Sequence, residues 1–218
     1  MSAPSGLAAP RAAVYRVLAS ALLPPTEERV ATLVAAAPEI VARIRPLRPM
    51  AFYPQTEALL RRLASLSEDE IERLRETYAT LFLSGARGAP APYGSAYLSP
   101  QPAPMVAAAV DAAYRAAGFV VDADGEAPDH VAIELDFLAA LCLREAEAEE
   151  AGREAEAAEL RRREGAFLRE HLLPWLPAFE AAIARAAPGS LLAETVAVAR
   201  RFAEHDVALL EALRADAG

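Results

Sequence analysis

Apolar side chains recur at three- and four-residue steps through most of the chain, which is the spacing of one face of an α-helix. The first such stretch runs from about Arg11 to Leu23 and ends at Pro24-Pro25, because proline cannot continue a helix. Thr26 is placed to cap a second helix. Further along, Ser67 and Glu70 form a capping box at the start of another apolar stripe. The pattern predicts separate helices through the first third of the chain.

A long irregular segment interrupts this pattern between Gly85 and Pro104. It contains eight glycine and proline residues, which are too many for a helix or a central strand. Long loops inside a compact domain are uncommon and are often functional. We therefore expect this segment to contribute to a site.

The longest predicted helix begins after the irregular segment and after a short acidic turn. Asp129 is placed as its N-cap and His130 as its first residue. The first half of the helix is apolar on more than one side, which is typical of a central, buried helix. The stretch 145–164 is charged and rich in alanine, and we interpret it as a solvated helix extension or connector.

Two more helices are predicted at the C-terminal end, the first kinked at Pro174 and Pro177 and the second beginning after Pro188-Gly189. No internal repeat is evident. The sequence therefore predicts a single domain over residues 1–218, an all-α bundle of eight to ten helices, in which residues 1–10 are disordered.

Composition supports the all-α prediction and narrows the classes of function. The chain is 54% hydrophobic but only 6% aromatic, and alanine, leucine, glutamate and arginine, the strongest helix formers, dominate. The formal net charge of −9 disfavours binding to nucleic acid and suits either solubility or a basic peptide partner. The N-terminus lacks the pattern of a secretory signal, and no stretch approaches the ~20 apolar residues of a membrane span. We expect a cytoplasmic protein that does not insert into membranes.

The motifs of common enzymes and metal sites are not met. His130 and Glu134 share a helix face, but His171 and His205 lie in separate helices, so we predict no metal site. The turn that contains Asp122, Asp124 and Gly125 lacks the full spacing of a calcium loop. There is no G-x-S-x-G elbow and no lysine for a phosphate-binding loop. We predict no catalytic residue and no cofactor.

Two polar groups remain to be explained. The irregular segment carries Tyr93, Ser95 and Tyr97, and Pro128-Asp129-His130 precedes the long helix. One interpretation is that Asp129 caps the helix while His130 packs in the core. The other is a recognition site, in which aspartate and histidine supply an acceptor and a switchable donor and the tyrosines supply rigid contact area.

These residues carry a resemblance to the TorD/DmsD/NarJ family of molybdoenzyme maturation chaperones. The sequence from Tyr78 to Leu98 is similar to the family pattern Y-x-x-L-F … P-x-x-S-x-Y, and Pro128 to Leu138 is similar to P-D-H-x-x-x-E-L-x-F-M/L. The stretch from Phe167 to Phe179 is similar to F-L-x-x-H-L-x-x-W-x-x-F. The motifs occur in the right order between about residues 11 and 205. Gly94 departs from the pattern, because many relatives place a glutamate before the serine.

The resemblance implies a TorD-like helical bundle that acts as a chaperone for a molybdopterin-containing oxidoreductase. Such a chaperone binds the twin-arginine signal peptide or the apoenzyme of its client until the cofactor is loaded, before export. The family pattern implies a signal-peptide-binding role for nine residues, namely Tyr78, Phe82, Tyr93, Ser95, Tyr97, Pro128, Asp129, His130 and Glu134. The alternative is a non-catalytic helical scaffold that binds folded partners through 145–164. The client stays open, as does the choice between a monomer and a helix-swapped dimer.

Overall fold

The computed structural model describes residues 6–120 and 125–215, and nine α-helices account for most of that part of the chain. Their bounds are α1 Ala8–Ala21, α2 Glu27–Arg43, α3 Tyr53–Ala64, α4 Glu68–Tyr78, α5 Ala103–Ala116, α6 Val131–Glu150, α7 Glu154–Phe167, α8 Leu176–Ala186 and α9 Leu191–Ala215. Buried apolar residues from all nine helices form one core cluster. The described residues contain no strand, so the predicted all-α class is confirmed.

Local sequence chemistry sets several of the helix ends. The side chain of Thr26 accepts a hydrogen bond from the backbone N–H of Arg29, and Ser67 and Glu70 form the predicted capping box. The kink expected at Pro174 and Pro177 is instead a break. A π-helical turn, Leu168–Leu172, leads out of α7, and α8 begins at Leu176 with proline in its first turn.

The N-terminal end of the described chain is ordered. Helix α1 begins at Ala8, and Leu7, Ala8 and Pro10 are buried. The prediction of disorder for residues 1–10 is therefore wrong for residues 7–10, because these small and apolar side chains are part of the packed bundle. Residues 1–5 lie outside the described part of the chain, as do Asp122 and Asp124 of the acidic turn.

The charged run 145–164 is not a solvated extension or connector, and this prediction is wrong. Helix α6 ends at Glu150, the chain turns through Gly152 with a φ of 67°, and α7 packs back against α6. Glu145 and Glu164 are 1% and 0% exposed. Two acidic residues within the run are buried because a cation from another helix meets them.

That cation is Arg11 of α1, which is itself fully buried. Its guanidinium donates to Glu145 of α6 at 2.7 Å, to Glu164 of α7, and to Asp206 of α9 at 2.6 and 3.0 Å. Tyr15 also donates to Asp206, at 2.7 Å. One side chain of α1 thus joins three other helices through charge-assisted hydrogen bonds.

Cys142 lies beside this network instead of in a purely apolar pocket. The thiol is fully buried as predicted, but its Sγ is 3.6 Å from Oε2 of Glu164. Burial raises the pKa of Cys142 well above its usual value, so the thiol stays protonated and unreactive. Cys142, Glu145 and Glu164 are close enough together to hold a cation, and the guanidinium of Arg11 bonds both of these carboxylates.

Candidate functional site

The irregular segment is fastened to the start of α6 by backbone hydrogen bonds. The N–H of Gly94 donates to the carbonyl of Asp129 at 2.9 Å, and the N–H of Val131 donates to the carbonyl of Pro92 at 2.8 Å. Together these bonds pair Tyr93 with His130 as a short antiparallel bridge. The structure therefore brings together the two polar groups that the sequence analysis identified separately.

The N-cap of α6 is His130, so the prediction that Asp129 caps this helix is wrong. Nδ1 of His130 accepts a hydrogen bond from the backbone N–H of Ala132 at 3.1 Å. The carboxylate of Asp129 accepts instead from the backbone N–H of Ser95 at 2.8 Å. The reason lies in the tertiary structure. Asp129 accepts from a backbone N–H of the neighbouring segment, and the imidazole of His130 caps the helix instead.

The capping bond fixes the protonation state of His130. An Nδ1 that accepts a hydrogen bond carries no proton, so the imidazole is neutral with its proton on Nε2. Burial lowers the pKa of His130, while the negative charges of Glu126 and Asp129 act in the opposite direction. Asp129 and His130 are each 1% exposed, and they therefore hold the segment in place instead of presenting an open surface.

The two tyrosines of the segment are half-buried, and each is fixed by a contact of its ring and by a hydrogen bond of its hydroxyl. The hydroxyl of Tyr93 donates to Glu126, and its ring meets the imidazole of His130 edge to face at 5.1 Å. Burial, together with this bond, raises the pKa of Tyr93. The ring of Tyr97 stacks on Trp175 at 5.9 Å, and its hydroxyl accepts from the N–H of Ala91 at 3.2 Å. Both tyrosines remain partly exposed.

Gly94 is required by the close approach of Trp175. A Cβ at this position would lie 2.9 Å from Nε1 of Trp175, which is shorter than a carbon and a nitrogen tolerate. The glutamate that the family pattern places here therefore does not fit in this chain. An acidic group at Gly94 plays no part in this site.

Tyr78 and Phe82 extend the aromatic surface from the end of α4. Tyr78 is buried and Phe82 is half-buried, with their rings 4.9 Å apart. Phe179 links them to the loop, since its ring is 6.4 Å from Phe82 and 6.0 Å from Tyr97. Burial raises the pKa of Tyr78 to about 12, with a further contribution from Glu126. Phe82, Tyr93 and Tyr97 form the half-exposed part of the site, which we call the aromatic surface.

Glu134 occupies a different position from the other predicted residues. It is fully buried and lines a cavity together with Trp175 and His171, and His130 is not among the residues around that cavity. The nitrogen Nδ1 of His130 is engaged with the backbone of Ala132. The spacing of His130 and Glu134 on one helix therefore does not produce a shared site.

Three residues of the site were not predicted. Glu126 accepts from Tyr93, and Tyr114 donates from its hydroxyl to the carbonyl of Pro128 at 2.8 Å. Trp175 contacts both Gly94 and Tyr97. The position of Trp175 in the third family motif was an available indication, whereas nothing in the sequence around Glu126 or Tyr114 points to these contacts.

No helix in the described ranges is long and apolar enough to cross a bilayer. A family model described as nitrate reductase delta subunit matches residues 50–181. This segment contains every predicted site residue, from Tyr78 to Glu134, and also contains Trp175.

Several curated proteins are similar over part of their length. The selenate reductase assembly chaperone protein of Thauera selenatis is 52% identical over 56 residues, which are 26% of this chain and 28% of that protein. The chaperone protein TorD of Vibrio vulnificus is 35% identical over 127 residues, or 55% of each chain. The TorD of Vibrio cholerae is 32% identical over 126 residues, or 55% of this chain and 54% of that one. The matched segments thus span between 28% and 55% of these relatives.

One solved structure has a similar fold. A candidate redox enzyme maturation protein from Archaeoglobus fulgidus superposes with a TM-score of 0.50 over 88% of this chain and 93% of that chain, at 16% sequence identity. At this level of identity the likeness concerns the fold, and it agrees with the predicted TorD-like helical bundle.

Proposed function

The chain belongs to the nitrate reductase delta subunit family, and from this premise we propose that it is a maturation chaperone for a molybdopterin-containing oxidoreductase. It binds the twin-arginine signal peptide or the apoenzyme of that client in the cytoplasm during cofactor loading, before export, and it catalyses no reaction. The names of the similar proteins, which include an assembly chaperone and TorD chaperones, support this proposal.

The observation that carries the proposal is the aromatic surface held rigidly beside the start of α6. Phe82, Tyr93 and Tyr97 are half-buried, and aromatic rings fixed by packing supply contact area with little loss of conformational freedom. A signal peptide offers an apolar helical segment, which packs against exposed aromatic side chains. The net charge of −9 favours the approach of the basic end of such a peptide.

The residues of the site divide into two roles under this proposal. The aromatic surface and Ser95, all partly exposed, contact the peptide. Asp129 and His130 are buried and act as positioning residues, because their side chains hold the backbone of Ser95 and Ala132. Tyr78 supports Phe82 from within the core, and Pro128 receives the hydroxyl of Tyr114 on its carbonyl.

The alternative of a scaffold that binds partners through 145–164 has little support. That run forms two packed helices whose buried acids bond Arg11, so it is needed for folding. Its deletion would unfold the bundle and could not separate binding from stability. We propose that the protein is either a monomer or a helix-swapped dimer.

Calorimetric titration with synthetic twin-arginine signal peptides from the molybdoenzymes of the same genome tests this function. We expect one of them to bind, and we expect Tyr93→Ala and Phe82→Ala to weaken binding tenfold or more, since loss of a central aromatic contact costs about 2 kcal/mol or more. Leu209→Ala is the matched control, because Leu209 is a partly buried apolar residue of α9 outside the aromatic surface. Failure of every peptide to bind, or equal affinity for all three variants, would refute the proposal.

A further inference from the structure

Glu134 is a buried acid whose side chain lies near the indole N–H of Trp175 without reaching good hydrogen-bond geometry. Its side chain is 0% exposed, and it is the one carboxylate in the described part of the chain with both oxygens buried and outside hydrogen-bond geometry. The indole N–H of Trp175, 1% exposed, is likewise outside hydrogen-bond geometry, with the carboxyl of Glu134 as a neighbouring acceptor. Buried polar groups are almost always hydrogen-bonded, and exceptions in a native structure call for an explanation.

Both groups line the same cavity, which lies between α5, α6 and the π-helical turn Leu168–Leu172. The cavity has a volume of about 220 Å3, whereas about 10–15 Å3 by the same kind of measure is enough for one water. Val106 and Val110 of α5 form an apolar wall, and Gln101 and His171 also border the cavity. The space is therefore large enough for a side chain, and Glu170 is a second carboxylate at its border.

The chemistry of these groups selects the occupant. The two carboxylate oxygens of Glu134, which lines the cavity, match two parallel N–H donors, which a guanidinium supplies and an ammonium does not. A planar cation also packs well against an indole ring.

We propose that this cavity is a receptor for one arginine side chain of the client polypeptide, with Glu134 as its carboxylate partner and Trp175 as its aromatic contact. The inference rests on the proposed function, because it takes the arginine from a client chain. It goes further in naming the cavity, which is distinct from the aromatic surface, as the place where the basic residue is recognised.

Burial is consistent with this role for Glu134. Burial and the charge of Asp129 raise the pKa of Glu134, and the nearby indole of Trp175 opposes the rise. A guanidinium beside Glu134 favours the charged form of the acid, so its entry lowers this pKa and forms an ion pair.

Trp175 is the only tryptophan of the chain, so its fluorescence reports on the cavity directly. The purified protein is titrated with N-acetyl-arginine N-methylamide, and in parallel with the lysine and citrulline analogues. We expect a saturable change with the arginine amide in the millimolar range, and binding at least tenfold weaker for the other two. The citrulline analogue tests for charge, and the lysine analogue tests for the planar pair of donors.

Glu134→Gln keeps the shape of the side chain and removes its charge, and we expect it to weaken arginine binding at least tenfold. Glu147→Gln is the matched control, because Glu147 belongs to the same helix but is exposed and does not border the cavity, and it should bind the arginine amide as the unmodified protein does. Circular dichroism of both variants verifies that the fold is retained. An equal response to arginine, lysine and citrulline, or a Glu134→Gln variant with unchanged affinity, overturns the proposal.

The same variants separate this inference from the proposed function. Peptides with the arginine pair are compared with peptides in which both arginines are lysine. If the arginine peptide binds with the same affinity to Glu134→Gln, the chaperone function stands and the arginine receptor is refuted. If the arginine amide binds through Glu134 but no client peptide binds, the receptor stands and the proposed function fails.

Discussion

Replacement of Arg11 tests how much the buried charge network contributes to the stability of the bundle. The guanidinium is the shared donor of Glu145, Glu164 and Asp206, and in Arg11→Met all three lose it. Removal of one partner of a buried ion pair costs about 3–5 kcal/mol. Because three carboxylates lose a donor together, while Asp206 keeps Tyr15 and Glu145 keeps Arg161, we expect a loss of about 5 kcal/mol in the free energy of unfolding. Native domains have about 5–15 kcal/mol in total, so this variant retains little stability.

The loss depends on pH in a way that a simple packing defect would not reproduce. In the unmodified protein, burial raises the pKa of Glu145 and of Glu164, and the charge of Arg11 opposes the rise. Without Arg11 both folded-state pKa values rise further above the unfolded values. A group with a raised folded-state pKa contributes stability at low pH that is lost as the pH rises through that pKa. The difference between the two proteins should therefore be smaller near pH 5 than near pH 8.

Urea denaturation followed by far-UV circular dichroism measures this difference at both pH values. The fluorescence of Trp175 provides a second probe, and coincident transitions would justify a two-state treatment. Arg11→Lys is the matched variant, because it keeps the charge but cannot reproduce the fork of donors, and we expect an intermediate loss. A deficit of less than about 1 kcal/mol for Arg11→Met, far below what a broken buried pair costs, would refute the reasoning. An equal deficit at the two pH values would also refute it.

Three further predictions follow from the site and the helix ends. Burial lowers the pKa of His130, so the stability that the neutral imidazole contributes is lost as the pH falls below about 6.5. The variant His130→Asn keeps a capping acceptor that does not titrate. We therefore expect the unfolding free energy of the variant to fall less between about pH 7.5 and 5.5 than that of the unmodified protein. Gly94→Ala should destabilise the protein by about 1–3 kcal/mol through overpacking against Trp175. In Gly165→Ala of α7 the new methyl group meets only the flexible end of Arg169, so this variant should be neutral or stabilised by up to about 1 kcal/mol. Thermal unfolding compares the two variants, and similar losses of stability for both would contradict the steric argument. Ser67→Ala removes one half of a capping box and should lower the free energy of unfolding by about 1 kcal/mol, as measured by urea denaturation. A decrease of less than a few tenths of a kcal/mol would show that the start of α4 is held by packing alone.

The helical class and many of the helix ends were predictable because they depend on residues close together in the sequence. Thr26 and the pair of Ser67 and Glu70 satisfy backbone donors within three residues, so their capping roles follow from spacing alone. The breakers between Gly85 and Pro104 likewise excluded a long helix there. Periodicity also identified α6 as a central helix, since its buried face covers more than one side.

The errors arose where the deciding contact is distant in the sequence. Glu145 and Glu164 resemble solvated residues until Arg11, more than 130 positions away from each of them, is placed between them. Asp129 and His130 are both capable of capping α6, and the choice is made by the N–H of Ser95, 34 positions away. In each case the competing donors and acceptors are known only when the tertiary fold is known.

Trp175 connects the two parts of the candidate site. One region of its indole lies against Gly94 and under the ring of Tyr97, and the same side chain lines the cavity that contains Glu134. Because protein interiors are closely packed, a shift of this indole on occupation of the cavity is transmitted to its neighbours. Since Tyr97 belongs to the aromatic surface, an arginine in the cavity and an apolar segment on the aromatic surface would be sensed by one side chain. Under the proposed function, this arrangement would bind the basic and apolar parts of one peptide together and would favour that peptide over a ligand that offers only one of them.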